Sequence, residues 1–177
     1  MSAVIVFVGL PGSGKSYLIN NIKLNNKSKI FTYSTDAYIE RCAARDGKSY
    51  TQVFEQYIRE ATEHMNDELK AAIANGYTVL WDQTNMKADK RRWILSHFPD
   101  SYQKQCFAIS PPRNDREWTV LYSRLGSRPG KSIPGYVLDS MLSTYTEPAL
   151  EEGFSNIHIA SIMGGMIKQL PQVENVK

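Results

Sequence analysis

Hydrophobic and polar positions change their spacing several times along this chain, and each spacing predicts a type of element. Residues 3–8 are a continuous apolar run rich in β-branched side chains, which is typical of a strand buried on both faces of a parallel sheet. Apolar residues recur at helical spacing from Thr51 to Asn75, where Asn75-Gly76 is a terminating pair. The pattern predicts a buried strand at residues 3–8 and one long helix at residues 51–75.

Shorter apolar runs alternate with further helical segments in the rest of the chain. Strands that alternate with helices predict a parallel sheet with right-handed crossovers and helices on both faces. We therefore predict an α/β fold with a five-stranded parallel sheet. The other predicted strands are residues 30–33, 77–81, 105–109 and 157–160, and the other predicted helices are residues 15–24, 115–125, 134–145 and a segment that carries Lys87 to Arg92.

The segment between the first strand and the first helix matches the phosphate-binding pattern G-x-x-x-x-G-K-[ST]. Its glycines let backbone N–H groups approach a phosphate closely, because they lack the Cβ that would obstruct this approach. Lys15 adds a positive charge, and Ser16 offers a hydroxyl to Mg²⁺ at a helix N-terminus that favours anions. The motif predicts a P-loop NTPase fold that binds ATP and Mg²⁺ through Gly9, Leu10, Pro11, Gly12, Ser13, Gly14, Lys15, Ser16 and Tyr17.

A carboxylate follows the second predicted strand. Asp36 lies just beyond the apolar run at residues 30–33, at the sheet edge where α/β folds bind ligands. There it could accept the proton of an acceptor hydroxyl during phosphoryl transfer, so we predict a catalytic base. The alternative is a helix N-cap for a helix that starts at Ala37.

The third predicted strand also ends in polar residues. Asp82 follows it at the position of a Walker B carboxylate, so together with Ser16 it is a predicted Mg²⁺ ligand. Thr84 and Asn85 come next, and we predict that both bind the acceptor with Asp82. Because Asp, Thr and Asn are common turn residues, a plain turn is the alternative.

Arginines and glycines share a segment after the helix at residues 115–125. Arg124 and Arg128, with Lys131 nearby, lie among glycines and a proline that would let the segment hinge. We predict a lid that closes over the triphosphate, with both arginines binding nucleotide and Arg128 stabilising charge on the transferred phosphoryl group. A solvated basic loop is the alternative.

Basic residues also cluster on the helix that follows Asn85. Lys87, Lys90, Arg91 and Arg92 could follow a nucleic-acid backbone, or they could form the wet face of a helix. The sequence leaves both interpretations open.

Composition narrows the class of protein. The 177 residues are 42% hydrophobic and 22% charged with a net charge of +3, which fits one domain and permits nucleic-acid binding without requiring it. Cys42 and Cys106 form no C-x-x-C pair, which favours reduced thiols and a cytoplasmic location, and no apolar run is long enough to span a membrane. We predict a kinase domain at residues 1–162 and a loosely held extension at residues 163–177.

Four motifs together resemble the kinase domain of phage and animal polynucleotide 5′-hydroxyl kinases. The likeness continues into a segment similar to the family element E-P-P-x-x-x-E-G-F, and it covers residues 3–161. The segments that carry it are Gly9 to Ser16, Ser34 to Asp36, Asp82 to Asn85, Arg124 with Arg128, Ser132 to Pro134, and Glu147 to Phe154.

The resemblance implies an ATP- and Mg²⁺-dependent kinase that acts on the 5′ end of DNA or RNA. By the same resemblance, Lys15 and Ser16 would bind phosphates and Mg²⁺, Asp36 would be the base, Asp82, Thr84 and Asn85 would shape the acceptor side, and Arg124 and Arg128 would belong to the lid.

The acceptor side departs from the family pattern. Thr35 and Ile39 stand where phage enzymes have arginines that hold an acceptor phosphate, and Arg41 is a possible substitute. A kinase of a small nucleoside, a sugar or a tRNA-linked hydroxyl is therefore a rival hypothesis. A slow ATPase that serves as a switch or adaptor is another, although such a protein needs no base like Asp36.

Overall fold

The computed structural model describes residues 2–25 and 29–171, which form one six-stranded sheet with helices around it. The strand order is β2-β3-β1-β4-β5-β6. The strands are β1 Ala3–Val8, β2 Ile30–Tyr33, β3 Thr78–Trp81, β4 Gln103–Ile109, β5 Asn156–Ala160 and β6 Met166–Leu170, and the helices are α1 Lys15–Asn25, α2 Thr35–Arg45, α3 Tyr50–Ala74, α4 Ala88–Leu95, α5 Asp115–Gly126 and α6 Gly135–Ser143, with a 3₁₀ turn at Leu150–Glu152.

The first strand is the centre of the sheet. All six residues of β1 are buried, and the strand pairs in parallel with β3 on one side and β4 on the other. The loop after β1 therefore emerges at the middle of the carboxyl edge, beside the end of β3. This arrangement confirms the predicted α/β fold of the P-loop class and the five parallel strands β1 to β5.

The sheet has one strand more than the sequence analysis predicts. β6 turns back after β5 and pairs with it in antiparallel fashion, with Ile157 opposite Leu170. Four of its five residues are exposed, so it is an edge strand without the apolar signature of a buried one. The five predicted strands are all present, and the sheet has six strands instead of five because of this additional edge strand. Residues 166–170 of the predicted extension thus form a strand of the sheet. Residues 172–177 of the extension lie outside the described residues.

Helices α2 and α3 pack on each other around a small core of their own. Ile39 of α2 and Val53 of α3 are fully buried there, together with Ala61, which lies about two turns further along the same face of α3. The long helix α3 begins after Ser49, whose side chain completes a capping box with Gln52. Its observed bounds lie within one residue of those predicted at each end.

Across residues 2–25 and 29–171, no helix combines the length and the apolar character that crossing a membrane requires.

A fully buried ion pair joins α4 to the turn before β5. The guanidinium of Arg91 donates to both carboxylate oxygens of Glu152 at 2.7 and 2.6 Å. It also donates to the carbonyls of Asn85 and Met86 at 3.0 and 2.9 Å. Since the pair is 0% and 2% exposed, these hydrogen bonds must offset the cost of removing both charges from water. Arg91 therefore belongs to the core. It lies neither on the wet face of the helix nor where it could contact a nucleic-acid backbone.

Glu152→Ala should lower the free energy of unfolding by about 3–5 kcal/mol, because it leaves the buried guanidinium without its counter-charge. Glu152→Gln keeps hydrogen-bond acceptors and should lose less. Asp89→Ala removes the exposed partner of Arg92 on the same helix and serves as the control. Urea denaturation measures all three, and an equal loss for Glu152→Ala and Asp89→Ala would contradict this assignment.

Candidate active site

One large cleft lies at the carboxyl ends of β1, β2 and β3. Its volume is about 1270 Å³, above the roughly 300–1,000 Å³ usual for a single small-molecule pocket. The P-loop and Asp82 line one part of it, and α3 and α6 line another through Phe54 and Tyr136. The cleft is large enough for two substrates side by side.

The P-loop has the backbone conformation that its glycines predict. Gly12 and Gly14 have φ values of 77° and 114°, which other residues rarely adopt. A Cβ on Gly12 would lie 3.1 Å from the Leu125 side chain, and one on Gly14 would lie 3.4 Å from Arg124. These glycines therefore also allow α5 to pack directly against the loop.

Lys15 is buried at the start of α1. Its ammonium donates to the carbonyls of Gly9 and Leu10, both at 2.9 Å. Burial lowers the pKa of Lys15 to about 8, while Asp82 and Asp36 act in the opposite direction. The lysine thus lies inside its own loop with a charge that burial disfavours.

The two predicted arginines lie beside the P-loop but on different elements. Arg124 belongs to the last turn of α5, so it is not on a hinged loop as predicted, and it donates to the Ser13 carbonyl at 3.0 Å. Arg128 follows the helix, lines the cleft and contributes to the lowered pKa of Lys15 by charge repulsion. Ser16 also lines the cleft, whereas Tyr17 is 71% exposed and does not.

Asp82 lies between the P-loop strand and β2. Its N–H donates to the Tyr33 carbonyl at 2.9 Å, which joins the ends of β3 and β2. Burial raises the pKa of the Asp82 carboxyl, and the nearby Lys15 opposes this shift. A desolvated carboxylate and the Ser16 hydroxyl line the same cleft and are the kind of oxygen ligands that Mg²⁺ prefers, so the chemistry of these residues fits such an ion.

The loop after β3 is bonded to the P-loop strand. The Thr84 carbonyl accepts the Gly9 N–H at 3.0 Å, and the Asn85 amide donates to the Phe7 carbonyl at 2.8 Å. Asn85 is 3% exposed with a φ of 48°, which is the left-handed conformation of a turn residue. Its Oδ1 has no hydrogen-bond partner among residues 2–25 and 29–171. Both residues line the cleft, and both also hold the turn together.

Asp36 lies in the first turn of α2, and its two carboxylate oxygens have different partners. Tyr50 donates its hydroxyl to Oδ1 at 2.8 Å, and the Lys131 ammonium donates to Oδ2. The N-cap of α2 is Ser34, whose side chain accepts the Ala37 N–H. The alternative role of Asp36 as an N-cap is therefore wrong.

Three further residues lie beside Asp36, of which the sequence pattern singled out only Lys131, as a member of the predicted lid segment. Lys131 Nζ lies 3.2 Å from Glu40 Oε1 and 3.9 Å from the centre of the Tyr50 ring. Glu40 follows Asp36 by four residues, so in a helix the two carboxylates lie on the same face. This spacing could have been recognised in the sequence. The contact of Tyr50 with Asp36 depends on how α2 and α3 pack, so no local sequence pattern contains it.

The predicted basic cluster divides in the structure. Lys87 and Lys90 line the cleft, Arg91 is buried, and Arg92 pairs with Asp89 at the surface. Arg41 stacks over Tyr38 at 5.6 Å and does not line the cleft. The two lysines are therefore the basic residues that α4 brings to the site.

The fold and the P-loop site define a P-loop kinase-like α/β domain. The family model described as an AAA domain matches residues 4–148, and the chain belongs to that family.

Solved structures with this fold come from several different classes of protein. A chain from the PezAT chromosomal toxin-antitoxin system of Streptococcus pneumoniae aligns with a TM-score of 0.63 and 14% identity, over 98% of this chain and 73% of that one. An unliganded sugar kinase from Janibacter sp. aligns with a TM-score of 0.55 and 17% identity, over 92% and 87%. A chain of a Pnkp1/Rnl/Hen1 complex aligns with a TM-score of 0.50 and 19% identity, over 63% of this chain and 36% of that one. At these identities the likeness concerns the fold.

The lowered pKa of Lys15 predicts that nucleotide binding takes up a proton. A bound phosphate favours the ammonium form of Lys15. With a pKa of about 8, the Lys15 side chain is neutral in about half of the nucleotide-free molecules at pH 8. Calorimetry of ATP binding at pH 8, in two buffers of different ionisation enthalpy, should therefore show an uptake of about half a proton. The uptake should grow at pH 9 as affinity falls, and it should be absent in Lys15→Met. Binding without proton uptake would contradict the assignment.

Proposed function

We propose that this chain is an ATP- and Mg²⁺-dependent phosphotransferase that transfers the γ-phosphate to a hydroxyl group. The observation that carries the proposal is that a P-loop and the Asp36 carboxylate line the same cleft. A switch or an adaptor that only hydrolyses ATP has no need for a carboxylate on the acceptor side. The family and the fold support nucleotide binding, and Asp36 supports transfer to a second substrate.

The donor side would bind the triphosphate through the P-loop backbone and three cations. Lys15 would leave the carbonyls of Gly9 and Leu10 and bind phosphate oxygens instead. Arg124 is anchored on the Ser13 carbonyl, and Arg128 would stabilise negative charge on the transferred group. Ser16 and Asp82 would hold Mg²⁺, which supplies charge neutralisation to the phosphates when it is bound.

The acceptor side would activate the hydroxyl through Asp36. As the acceptor oxygen bonds to the γ-phosphorus and the bond to the leaving ADP oxygen breaks, the hydroxyl proton passes to the Asp36 carboxylate. The Tyr50 hydroxyl donates to Oδ1 of this carboxylate at 2.8 Å, which restrains one of its two oxygens.

The acceptor that we propose first is the 5′-hydroxyl of a polynucleotide. The motif resemblance supports it, and so does the lining of the cleft beyond Asp36. Lys87 and Lys90 offer cations to backbone phosphates, and Phe54 and Tyr136 offer aromatic surfaces to bases. Arg41 contributes nothing to this acceptor, because it lies outside the cleft.

A small hydroxyl acceptor is the second candidate, and one observation favours it. Glu40 and Glu55 line the cleft together with Asp36, while Lys131 pairs with two of these three carboxylates. Carboxylates near the acceptor would repel a phosphate group next to the reacting hydroxyl. A nucleoside or a sugar would avoid this repulsion.

Transfer of labelled γ-phosphate from ATP distinguishes the candidates. The assay offers 5′-hydroxyl oligonucleotides of DNA and RNA, nucleosides, sugars and water as acceptors. We expect the label on the oligonucleotide 5′ end. Label on nucleosides or sugars alone would favour the second candidate, and release of inorganic phosphate alone would contradict phosphotransfer.

Asp36→Asn should lower turnover by about 10² or more because it removes the base. ATP affinity should change much less, because Asp36 hydrogen-bonds Tyr50 and Lys131 and acts on Lys15 only through its charge. Steady-state kinetics and calorimetry measure the two quantities. Turnover equal to that of the wild type would contradict the role of Asp36.

The double substitution Lys87→Met with Lys90→Met should raise KM for an oligonucleotide and flatten its dependence on salt, because two phosphate contacts are lost. KM for ATP should not change. Arg92→Met, on the same helix but outside the cleft, is the matched control. An unchanged oligonucleotide KM in the double variant would contradict binding of the oligonucleotide backbone along Lys87 and Lys90.

A further inference from the structure

The segment at residues 127–134, here called the lid loop, is docked on the first turn of α3. The Gly130 carbonyl accepts from the Thr51 N–H at 3.4 Å and from the Thr51 hydroxyl at 3.3 Å. The Ser132 N–H donates to the Thr51 hydroxyl at 3.4 Å. Gly130 has a φ of 69°, and a Cβ there would lie 3.2 Å from the Ser49 side chain. The loop therefore follows the surface of α3 closely.

Lys131 is the residue by which the lid loop contacts Asp36. Its side chain is 7% exposed, whereas those of its partners Asp36 and Glu40 are 50% and 53% exposed. Burying an ammonium group is costly unless it is paired, so the two carboxylates make this docked position possible. The Tyr50 ring covers the ammonium at 3.9 Å.

Residues of the lid loop lie on both sides of the proposed reaction, the phosphate-binding side and the side of the proposed base. Arg128 lines the cleft near Lys15, and Lys131 follows three residues later on the same loop and bonds Asp36. Docking of this loop therefore brings a cation to each side. One short segment contacts both the phosphate-binding side and the proposed base.

We propose that Lys131 is a positioning residue that fixes the Asp36 carboxylate and makes its orientation depend on docking of the lid loop. The proposal rests on the proposed function for the role of Asp36 as the base. Tyr50 from α3 holds one carboxylate oxygen and Lys131 holds the other. Each oxygen has about two lone-pair sites, so an acceptor hydroxyl can still bond to the carboxylate.

Loss of one of these two contacts would free the carboxylate to rotate, since the terminal torsion of an aspartate is soft. Misplacement of a catalytic group by about 1 Å can cost about 10²-fold in rate. Lys131 therefore acts on turnover mainly through Asp36. Its hydrogen bonds are to Asp36 and Glu40, and it acts on Lys15 of the P-loop only through its charge, so ATP affinity should change much less than turnover.

A double-mutant cycle tests this link. Lys131→Met should lower kcat by about 10- to 100-fold and change the Kd for ATP much less. Asp36→Asn combined with Lys131→Met should be no slower than Asp36→Asn alone, because both act on the same group. Lys131→Arg keeps the charge and should recover part of the rate. Multiplicative losses in the double variant, or a loss in Lys131→Arg equal to that in Lys131→Met, would overturn the proposal.

Amide hydrogen exchange separates this proposal from the proposed function. Both Lys131→Met and Asp36→Asn should speed exchange at Thr51 and Ser132, since each removes one half of the contact that docks the lid loop. Lys70→Met, at an exposed position of α3, should leave that exchange unchanged. Unchanged exchange in Lys131→Met would overturn the proposal. Wild-type protein that phosphorylates no hydroxyl would contradict the proposed function, and the exchange data would still decide whether Lys131 and Asp36 dock the loop together.

Discussion

The buried guanidinium of Arg91 is the interaction on which the geometry of the cleft depends. It bonds the Glu152 carboxylate before β5 and the carbonyls of Asn85 and Met86 after β3. The loop that it holds also carries Asp82, and the Thr84 carbonyl in that loop accepts the Gly9 N–H of the P-loop. A charge deep in the core therefore stabilises the path of a loop that lines the cleft, and the full set of hydrogen bonds explains how the charge is tolerated.

The cleft itself holds charges that the protein alone satisfies poorly. Burial lowers the pKa of Lys15 and raises that of Asp82, so it disfavours the charged form of both. A phosphate would stabilise the lysine, and a divalent cation would stabilise the carboxylate. The electrostatics thus favour binding of a nucleotide with its metal ion, which is consistent with the P-loop kinase-like fold. Asp36 differs from both, because Tyr50 and Lys131 already satisfy its oxygens.

Local patterns predicted the parts of this protein that are local. The P-loop, the polar ends of β2 and β3 and the long helix α3 each depend on short-range spacing, and the structure has them where the sequence places them. β6 escaped prediction because an exposed edge strand lacks an apolar run. The burial of Arg91 and the contact of Lys131 with Asp36 join residues 61 and 95 positions apart, so no local pattern contains them. The roles of the site residues in catalysis stay predictions for the experiments above.

A crystal structure with ADP, Mg²⁺, fluoroaluminate and a 5′-hydroxyl oligonucleotide would show whether donor and acceptor meet in this cleft. We expect the planar phosphate mimic at the P-loop, with Lys15 released from the carbonyls of Gly9 and Leu10 and bonded to the mimic. We also expect the acceptor hydroxyl within hydrogen-bond distance of Asp36, in line with the leaving oxygen of ADP. A mimic bound at the P-loop with the acceptor hydroxyl far from Asp36 would rule out Asp36 as the base.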